Sequence, residues 1–303
     1  MPAAIVFSRL LITGASGKLG VATLHHLLHT LHVDPQQIVA GTRSVDSEAL
    51  QSFKDQGVHV RFFDANDAAS VAAAAKDVER ALLISNREND DGASHAQAIR
   101  TLVQAGVQHI VYTSLQAADV SLAAIAPIHR ATQAFLKTSG VSGYTILRNG
   151  MYSENVFPPL SVVSKTGGQW PCAAGDGKLV CVSRDDTGRA AAFALATDRT
   201  ESATLDITGP EALTIEEIAS NVSEVLDKSI EAVHVSRDAL SARLVEVLSL
   251  PPPVGYIFAS LDATTAAGVA GRVTSEYETL TGVAPVSHHA WCKSSQRILA
   301  SIQ

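Results

Sequence analysis

The sequence predicts an α/β fold in which a doubly wound parallel sheet is covered by helices on both faces and followed by a smaller C-terminal α+β lobe. Two observations predict the sheet. Short β-rich apolar runs alternate with amphipathic helical stretches over the first half of the chain, which is typical of parallel sheets. A glycine-rich turn also joins the first strand to the first helix. Beyond about residue 150 this alternation weakens and proline and glycine pairs mark loops, which predicts the separate lobe.

Composition excludes several classes of protein. The chain has 303 residues, of which 46% are hydrophobic and 17% charged, so it can bury a large core in one or two domains. Its net charge of −7 argues against nucleic acid or an anionic membrane as a partner. Three cysteines, Cys172, Cys181 and Cys292, have no metal-like spacing, which indicates reduced thiols in a cytoplasmic protein without a metal site. No apolar run approaches the ~20 residues of a membrane span.

The first strand ends at Thr13, and Gly14, Gly17 and Gly20 follow it at three-residue spacing. A helical pattern of apolar residues then covers residues 18–31. A glycine turn leading into a helix lets the backbone approach an anion, which the N–H groups and partial positive charge of the helix N-terminus then stabilise. The alternative is a merely structural turn between strand and helix. The candidates for binding the diphosphate of a dinucleotide are Gly14, Ser16, Gly17, Lys18, Leu19 and Gly20.

The remaining elements of the first half follow the same alternation. Strands are predicted at residues 37–42, 58–64, 80–85, 109–114 and 144–147, and helices at residues 47–55, 68–75, 93–105 and 125–139. Ligands of doubly wound sheets bind at the carboxyl ends of the strands. The further candidate binding residues at those ends are Arg43, Asp64, Ser85, Asn86, Thr113, Ser114 and Asn149.

The second half has fewer regular signals. A helix is predicted at residues 187–196, a strand at 203–208 and a last helix at 287–302. Thr214 and Glu217 form a capping box that opens another helix, and three prolines at residues 251–253 interrupt the chain before an Ala-rich segment. We therefore expect a dinucleotide-binding domain at residues 1–150 and a substrate-binding lobe at residues 151–303. The chain is expected to return to the sheet around residues 178–208.

The end of the second strand indicates which dinucleotide is bound. An acid usually stands there when the adenosine ribose has a free 2′-hydroxyl, but this strand ends in Arg43. A guanidinium can bind a 2′-phosphate that a carboxylate would repel, which favours NADP(H) over NAD(H). The alternative is an ordinary surface arginine. Asp64 ends the third strand, where its carboxylate can reach the adenine amino edge or, alternatively, cap the helix that begins near Asp67.

Several strings together resemble a known family. They are the glycine turn at residues 14–20, Arg43, residues 112–114, residues 147–155 and residues 173–178. They are similar to the NmrA-like group of atypical short-chain dehydrogenases, and in particular to type-2 NADPH-dependent quinone oxidoreductases. The resemblance implies a Rossmann domain, a small C-terminal lobe, NADP(H), and hydride transfer to quinones or other conjugated acceptors. The group also contains redox-sensing regulators.

One position departs from the wider group. Short-chain dehydrogenases commonly carry Tyr-x-x-x-Lys at the start of the fifth helix, where this chain has Ile125 and His129. Isoleucine cannot donate a proton, so acceptors that need little protonation are favoured over simple ketones. His129 is the candidate for binding the nicotinamide ribose or relaying a proton, with a surface histidine as the alternative. The pairs His25/His26 and His288/His289 are interpreted as surface residues without acidic partners.

Two further candidates follow the sixth strand. Asn149 is expected to bind the nicotinamide carboxamide, and Tyr152 to stack on a flat substrate or donate a proton. Thr113 and Ser114 are expected beside the nicotinamide ribose. The alternative for these residues is ordinary loop packing or strand termination. The predicted catalytic set is therefore His129, Tyr152 and Asn149.

Three functions remain open at this point. The first is an NADP(H)-dependent oxidoreductase acting on a planar, largely apolar acceptor such as a quinone or an iminium. The second is a biosynthetic enzyme of secondary metabolism that uses NADP(H) for a redox-mediated cyclisation or isomerisation. The third is a non-catalytic NADP sensor, which the lack of a charged extension disfavours. A small-molecule substrate, no nucleic-acid or membrane partner, a cytoplasmic location and a monomer or homodimer are expected.

Overall fold

The structure, a computed structural model, describes residues 9–85 and 92–302. Its strands are β1 (Leu10–Thr13), β2 (Ile38–Thr42), β3 (His59–Phe62), β4 (Arg80–Leu83), β5 (His109–Leu115), β6 (Gly143–Asn149), β7 (Met151–Tyr152), β8 (Gln169–Cys172), β9 (Leu179–Val182), β10 (Ala203–Ile207), β11 (Ala212–Leu213) and β12 (Glu231–His234). Its helices are α1 (Lys18–His25), α2 (Gln51–Asp55), α3 (Ala68–Ala74), α4 (Ala93–Gln104), α5 (Ala126–Thr138), α6 (Phe157–Val163), α7 (Arg184–Leu195), α8 (Ile215–Leu226), α9 (Arg237–Leu248), α10 (Pro252–Ala266), α11 (Glu276–Thr281), α12 (His288–Ser294) and α13 (Gln296–Ser301).

A seven-stranded sheet has the order β10-β6-β5-β4-β1-β2-β3. β1 pairs in parallel with β2 and β4, and the order of strands reverses at β1. All residues of β1, β2 and β4 are buried, because helices cover both faces of the sheet. The predicted α/β class with a doubly wound parallel sheet is confirmed. In such sheets the carboxyl ends of the strands on either side of the reversal form the ligand site.

The described residues divide into two compact units. The first unit contains residues 9–85, 92–114, 127–148 and 184–205, and the second contains residues 115–126, 149–183 and 206–302. The chain thus leaves the first unit and returns to it through α7 and the start of β10. Within the described chain, no helix combines the length and the hydrophobicity that crossing a membrane requires.

In the first unit, α1 packs closely on α7. A Cβ at Gly188 of α7 would lie 2.6 Å from the Cβ of Ala22, so only glycine allows this approach. After α1 the chain continues as one π-helical segment, His26–Thr30. The expectation that His26 is a surface residue is wrong, because its side chain is buried and its Nε2 lies 3.2 Å from Asp185 Oδ1. His25 is exposed as expected.

The buried Arg80 of β4 satisfies the carboxyl end of α7. Its guanidinium donates to the carbonyl oxygens of Leu195 at 2.8 Å, Arg199 at 3.0 Å and Ala194 at 3.3 Å. The last carbonyls of a helix have no partner within the helix, and a cation near them also interacts favourably with the helix dipole. Burial lowers the pKa of Arg80 only to about 10, so the group stays charged near neutral pH.

The second unit contains two small sheets, β11-β9-β7 and β12-β8, with seven helices around them in the described chain. The predicted capping box is confirmed, since Thr214 Oγ1 accepts from Glu217 N–H and Glu217 Oε2 accepts from Thr214 N–H. The expectation that His288 and His289 are surface residues without acidic partners is wrong. His288 is buried with its Nδ1 3.2 Å from Asn221 Nδ2, and His289 Nε2 lies 3.2 Å from Glu224 Oε1.

Several predicted elements differ in detail. The prolines at residues 251–253 begin α10 rather than merely interrupting the chain, and those at residues 158–159 lie in the first turn of α6. Proline is accepted there because the first N–H groups of a helix have no partner within the helix. The predicted helix at residues 47–55 is a 3-10 turn followed by α2. The predicted last helix is divided at Ser295 into α12 and α13.

We expect Arg80→Met to lower the free energy of unfolding by about 2–4 kcal/mol, because the carbonyl oxygens at the end of α7 would be left buried without donors. Urea denaturation followed by circular dichroism measures the change. Arg243→Met, which removes an exposed arginine on α9, is the control and should change stability by less than ~0.5 kcal/mol. Equal effects of the two substitutions would contradict the role given to Arg80.

Candidate active site

The glycine turn between β1 and α1 is held by close packing. Gly14 has a φ of +61°, which favours glycine, and Gly17 is the N-cap of α1. A Cβ at Gly20 would lie 2.5 Å from Gly14 O and 2.6 Å from the Cα of Ala15. The start of the helix is therefore pressed directly onto the turn. No side chain caps α1 at Gly17 and no acid lies in its first turn, so the local charge suits an anion.

A pocket with about 770 Å³ of empty space, partly open to solvent, lies against this turn in the first unit. Five predicted residues line it, namely Gly14, Ser16, Gly17, Arg43 and Asp64. Its other lining residues are Thr13, Thr42, Ser44, Phe63, Ala65, Leu83, Ile84 and His95. The remaining predicted diphosphate residues, Lys18, Leu19 and Gly20, form the first turn of α1. The structure thus gathers residues from the ends of β1, β2 and β3 around one pocket.

Hydrogen bonds hold the loops of this pocket in place. Ser16 Oγ lies 2.8 Å from Thr42 Oγ1, which also accepts from Ser44 N–H at 3.0 Å. Arg43 is exposed between these two contacts. An exposed guanidinium beside a glycine turn is well placed for a phosphate.

The alternative role of Asp64 as a helix cap is wrong. The N-cap of α3 is Asp67, whose Oδ1 accepts from Ala69 N–H at 2.9 Å. Asp64 instead accepts from Asn66 N–H at 3.0 Å, a short local turn that fixes its carboxylate at the rim of the pocket. The hydrogen bond to Oδ1 fixes the orientation of the whole carboxylate, which a group that binds a ligand by hydrogen bonds needs.

The ends of β1, β4 and β5 are tied together by buried threonines. Thr13 Oγ1 accepts from Ile84 N–H at 3.0 Å, and Thr113 Oγ1 accepts from Ser85 N–H at 2.9 Å. Thr113 Oγ1 also lies 3.4 Å from Ser85 Oγ. Ser85 and Thr113 are therefore neighbours at this edge of the sheet. The predicted Asn86 lies outside the described residues.

His129 stands at the centre of a buried hydrogen-bonded chain. Its Nδ1 lies 2.9 Å from Tyr112 Oη and 3.4 Å from Ser114 Oγ. Ser114 Oγ accepts from Gln133 Nε2 at 2.8 Å, and Gln133 Oε1 accepts from Arg148 Nη2 at 2.6 Å. The alternative of a surface histidine is wrong, because only 7% of His129 is exposed. The side chains around Nδ1 fix the orientation of the ring.

Burial also sets the charge of this chain of residues. It lowers the pKa of His129 to about 4, with a smaller contribution from His95, and it raises the pKa of Tyr112 above its ordinary value. Both groups are therefore neutral at pH 7. When the Tyr112 hydroxyl donates to Nδ1, the neutral imidazole carries its hydrogen on Nε2 and can donate from that atom.

Sequence reasoning missed three residues of this region. His95 of α4 lines the nucleotide pocket, is buried, and lies 2.9 Å from Thr132 Oγ1 through its Nδ1. Tyr112 was noticed only within a string of residues, and Gln133 was not considered a site residue. Gln133 follows His129 by one helical turn, so the two residues share a helix face, and that spacing could have identified it.

The other two predicted catalytic residues belong to the second unit. Asn149 Nδ2 donates to Tyr152 Oη at 3.3 Å, and the main-chain oxygen of Asn149 accepts from Gln116 N–H at 2.8 Å. Asn149 is 5% exposed, and its Oδ1 is buried without a hydrogen-bond partner in the described chain. An unsatisfied buried oxygen costs about 1–3 kcal/mol, and such atoms are rare outside functional or strained sites.

The second unit also contains an apolar cavity with about 630 Å³ of empty space, part of it open to solvent. Trp170 and Phe258 line it together with Tyr152, Cys181 and Asp262. Most of the other lining side chains are aliphatic or proline. The cavity therefore suits a largely apolar ligand.

A strand, a glycine turn and a helix at the point where the strand order of a doubly wound sheet reverses are typical of dinucleotide-binding α/β proteins. The NmrA-like family model matches residues 7–261. The chain belongs to the NmrA-like family, which confirms the resemblance seen in the sequence.

Similarity to known proteins supports this family assignment. Quinone oxidoreductase 2 of Escherichia coli (strain K12) is 34% identical over 258 residues, which cover 85% of this chain and 88% of that protein. The crystal structure of the Escherichia coli NADPH-dependent quinone oxidoreductase complexed with NADPH has a TM-score of 0.86 and 31% identity, covering 96% of this chain and 99% of the other.

A second solved structure is similar to the same extent. The Citrobacter sp. triphenylmethane reductase complexed with NADP(H) has a TM-score of 0.84 and 30% identity, covering 94% of this chain and 99% of the other. The cofactor expected from the sequence, NADP(H), is thus the one bound in both solved structures. The expected enzyme class, an oxidoreductase, is also the class that their names give.

We expect Arg43→Asp to weaken NADPH binding about 10–100-fold, because the charge-assisted bonds to a 2′-phosphate are lost and a repulsive charge is introduced. NADH has no such phosphate, so its dissociation constant should change less than ~3-fold. Fluorescence titration with both nucleotides measures the ratio. Lys137→Asp, an exposed charge reversal on α5, should leave that ratio intact. Equal losses for NADPH and NADH would remove Arg43 from the site.

Proposed function

We propose that this chain is an NADP(H)-dependent oxidoreductase that reduces a planar conjugated acceptor such as a quinone or an iminium. The observation that carries the proposal is the glycine-turn pocket with Arg43 at its rim, in a chain that carries a neutral His129 and no tyrosine at position 125. The chain's family and the names of its relatives support the redox class.

The residues of the site fit the cofactor. The glycine turn and the start of α1 offer an anion site for the diphosphate, and Arg43 offers a guanidinium for the 2′-phosphate. Asp64 is assigned to the adenine edge. The residues assigned to the nicotinamide half are Ser85, Thr113, Ser114, His129 and Asn149. When bound there, NADPH supplies a hydride.

Asn149 supports this assignment by an observation of its own. Its Oδ1 is a buried acceptor that no described residue satisfies, and a carboxamide N–H₂ is the kind of donor that it lacks. Its Nδ2 is already used toward Tyr152 Oη. We assign the free oxygen to the nicotinamide carboxamide.

His129 is assigned a positioning and hydrogen-bonding role rather than that of a cation. Since the pKa of its imidazole is about 4, the ring cannot supply the positive charge that a lysine brings near neutral pH. Its Nδ1 is occupied by Tyr112, which leaves Nε2 to meet a ribose hydroxyl. A neutral ring in a fixed orientation favours precise placement of the ribose.

The missing tyrosine limits the acceptor. Reduction of a simple ketone builds negative charge on oxygen and needs an acid, and Ile125 has none to offer. A quinone spreads that charge over a ring, and an iminium is neutralised when the hydride forms its new C–H bond. Tyr152 lines the apolar cavity of the second unit and is assigned to stack on the acceptor or to protonate its product.

A second candidate function has support from the same cavity. Trp170 and Phe258 give it the aromatic walls on which a reactive intermediate could fold in a redox-mediated cyclisation or isomerisation. Such an enzyme of secondary metabolism would form product with little net consumption of NADPH. Measuring NADPH consumed per product formed separates the two functions. Cytoplasmic location and a monomeric or dimeric state stay predictions.

We expect NADPH oxidation with 2-methyl-1,4-naphthoquinone to have a kcat/KM at least ~100-fold above that with cyclohexanone, because only the ketone depends on a general acid. Steady-state assays at 340 nm under nitrogen measure both rates. A ketone reduced as efficiently as the quinone would contradict the proposed acceptor class. Bound NADPH that no acceptor oxidises would favour a non-catalytic role.

We expect His129→Ala to lower kcat about 10–100-fold while the dissociation constant of NADPH changes less than ~5-fold, because the ribose is misplaced rather than released. His25→Ala, at an exposed histidine of the first unit, is the matched control. In the wild type, kcat/KM should show no histidine titration near pH 6.5, since the pKa of His129 is about 4. An inflection near pH 6.5 that His129→Ala abolishes would refute the neutral-imidazole assignment.

A further inference from the structure

One acidic side chain lines the apolar cavity of the second unit. Asp262 lies on α10 among Trp170, Phe258 and Leu261, with Leu240 and Leu244 of α9 in the same lining. Carboxylates are rarely placed in apolar surroundings unless a cation or several hydrogen bonds stabilise them. Asp262 is half-buried, so its carboxylate is open to the cavity while most of its neighbours in the lining are apolar.

The carboxylate of Asp262 is incompletely satisfied. Its Oδ2 accepts from Ala173 N–H at 2.7 Å. Within residues 9–85 and 92–302 no arginine, lysine or histidine forms an ion pair with it. Burial raises the pKa of Asp262 to about 6, against the lowering effect of the Ala173 bond. A bound cation would supply the missing counter-charge.

The aromatic walls fit the same kind of ligand. Trp170 is buried and lines the cavity with Phe258, and the faces of such rings attract delocalised cations. A neutral quinone would gain from the rings but would leave the carboxylate without a counter-charge. A planar cation would be stabilised by the rings and by the carboxylate, so this lining favours a cationic acceptor over a neutral one.

We propose that this cavity binds a planar aromatic or iminium cation whose positive charge pairs with Asp262, which makes Asp262 a specificity-determining residue. The proposal rests on the proposed function and narrows its acceptor class from conjugated molecules in general to cationic ones.

Several other titratable groups lie near Asp262. Tyr152 and Cys181 share the cavity lining, and Cys172 interacts electrostatically with Asp262. Burial raises the pKa of the Cys172 thiol to about 12 and raises that of Cys181 as well, so both remain uncharged. Beyond Cys172 lies His234, whose Nδ1 is 3.6 Å from the Cys172 sulfur and whose Nε2 is 2.6 Å from Glu216 Oε1.

The test compares N-methylquinolinium, a planar cation, with quinoline, which is neutral at pH 8 and nearly the same shape. Calorimetric titration without NADPH measures both dissociation constants. The wild type should prefer the cation at least ~10-fold, and Asp262→Asn should reduce that preference to near unity, because asparagine keeps the acceptor for Ala173 and removes only the charge. Asp238→Asn, an exposed carboxylate of α9, is the control and should keep the preference.

A wild type that binds both probes equally, or an Asp262→Asn variant that loses affinity for both probes alike, overturns the proposal. If that variant does not fold, the pH dependence decides. Affinity of the wild type for N-methylquinolinium should fall as pH decreases from 8 to 5, since Asp262 becomes protonated, and His234→Gln should retain this fall. A constant affinity overturns the proposal.

Failure of this inference and failure of the proposed function give different results. Reduction of 2-methyl-1,4-naphthoquinone without Asp262-dependent binding of the cation leaves the reductase and removes the cation site. Asp262-dependent binding of the cation with no NADPH oxidation by any acceptor leaves the cation site and removes the reductase.

Discussion

The close contact between the start of α1 and the glycine turn is the constraint on which the rest of the site depends. A Cβ at position 20 would lie 2.5–2.8 Å from backbone atoms of residues 14 and 15, which is too close for any side chain. The helix N-terminus therefore reaches the pocket only because that position is glycine. This contact fixes the anion site relative to the ends of β1 and β2. Arg43 and Asp64 line the same pocket as the turn.

The second determinant is the uncharged imidazole of His129 on the fifth helix. His129 is buried and bonded through Nδ1 to a phenol whose pKa is raised by the same burial. A chain of hydrogen bonds running back to Arg148 then holds the ring. The ring orientation is thereby fixed, and burial lowers the pKa of the imidazole to about 4. The proposed preference for acceptors that carry or delocalise their charge depends on this arrangement.

Most elements of the first unit could be predicted because their sequence signals are local. Strand, glycine turn and helix are adjacent in the chain, and the capping box of Thr214 and Glu217 spans only one helical turn, so both could be predicted. The burial of His26 could not, because its partner Asp185 lies 159 residues further along. The same holds for β8 and β12, whose paired residues are 62 positions apart in the sequence.

In the candidate site, too, the residues with local sequence signals could be predicted and those that depend on distant contacts could not. The five pocket residues at strand ends follow from the general geometry of doubly wound sheets, and the structure gathers them. His95 was missed because its partner Thr132 lies on another element. Gln133 shares a helix face with His129, and that spacing could have identified it. Asp262 was missed for a different reason. A single acid on a helix carries no signal until the packing shows that its neighbours are apolar.

The most direct measurement is a calorimetric titration of the wild type and of Gly20→Ala with NADPH and NADH, with circular dichroism to verify that both proteins are folded. The account predicts that the wild type binds one NADPH per chain, more tightly than NADH, and that adding a single methyl group at position 20 weakens both nucleotides by displacing the helix from the turn. A wild type that binds neither nucleotide, or a folded Gly20→Ala protein that binds both as tightly as the wild type, would contradict it.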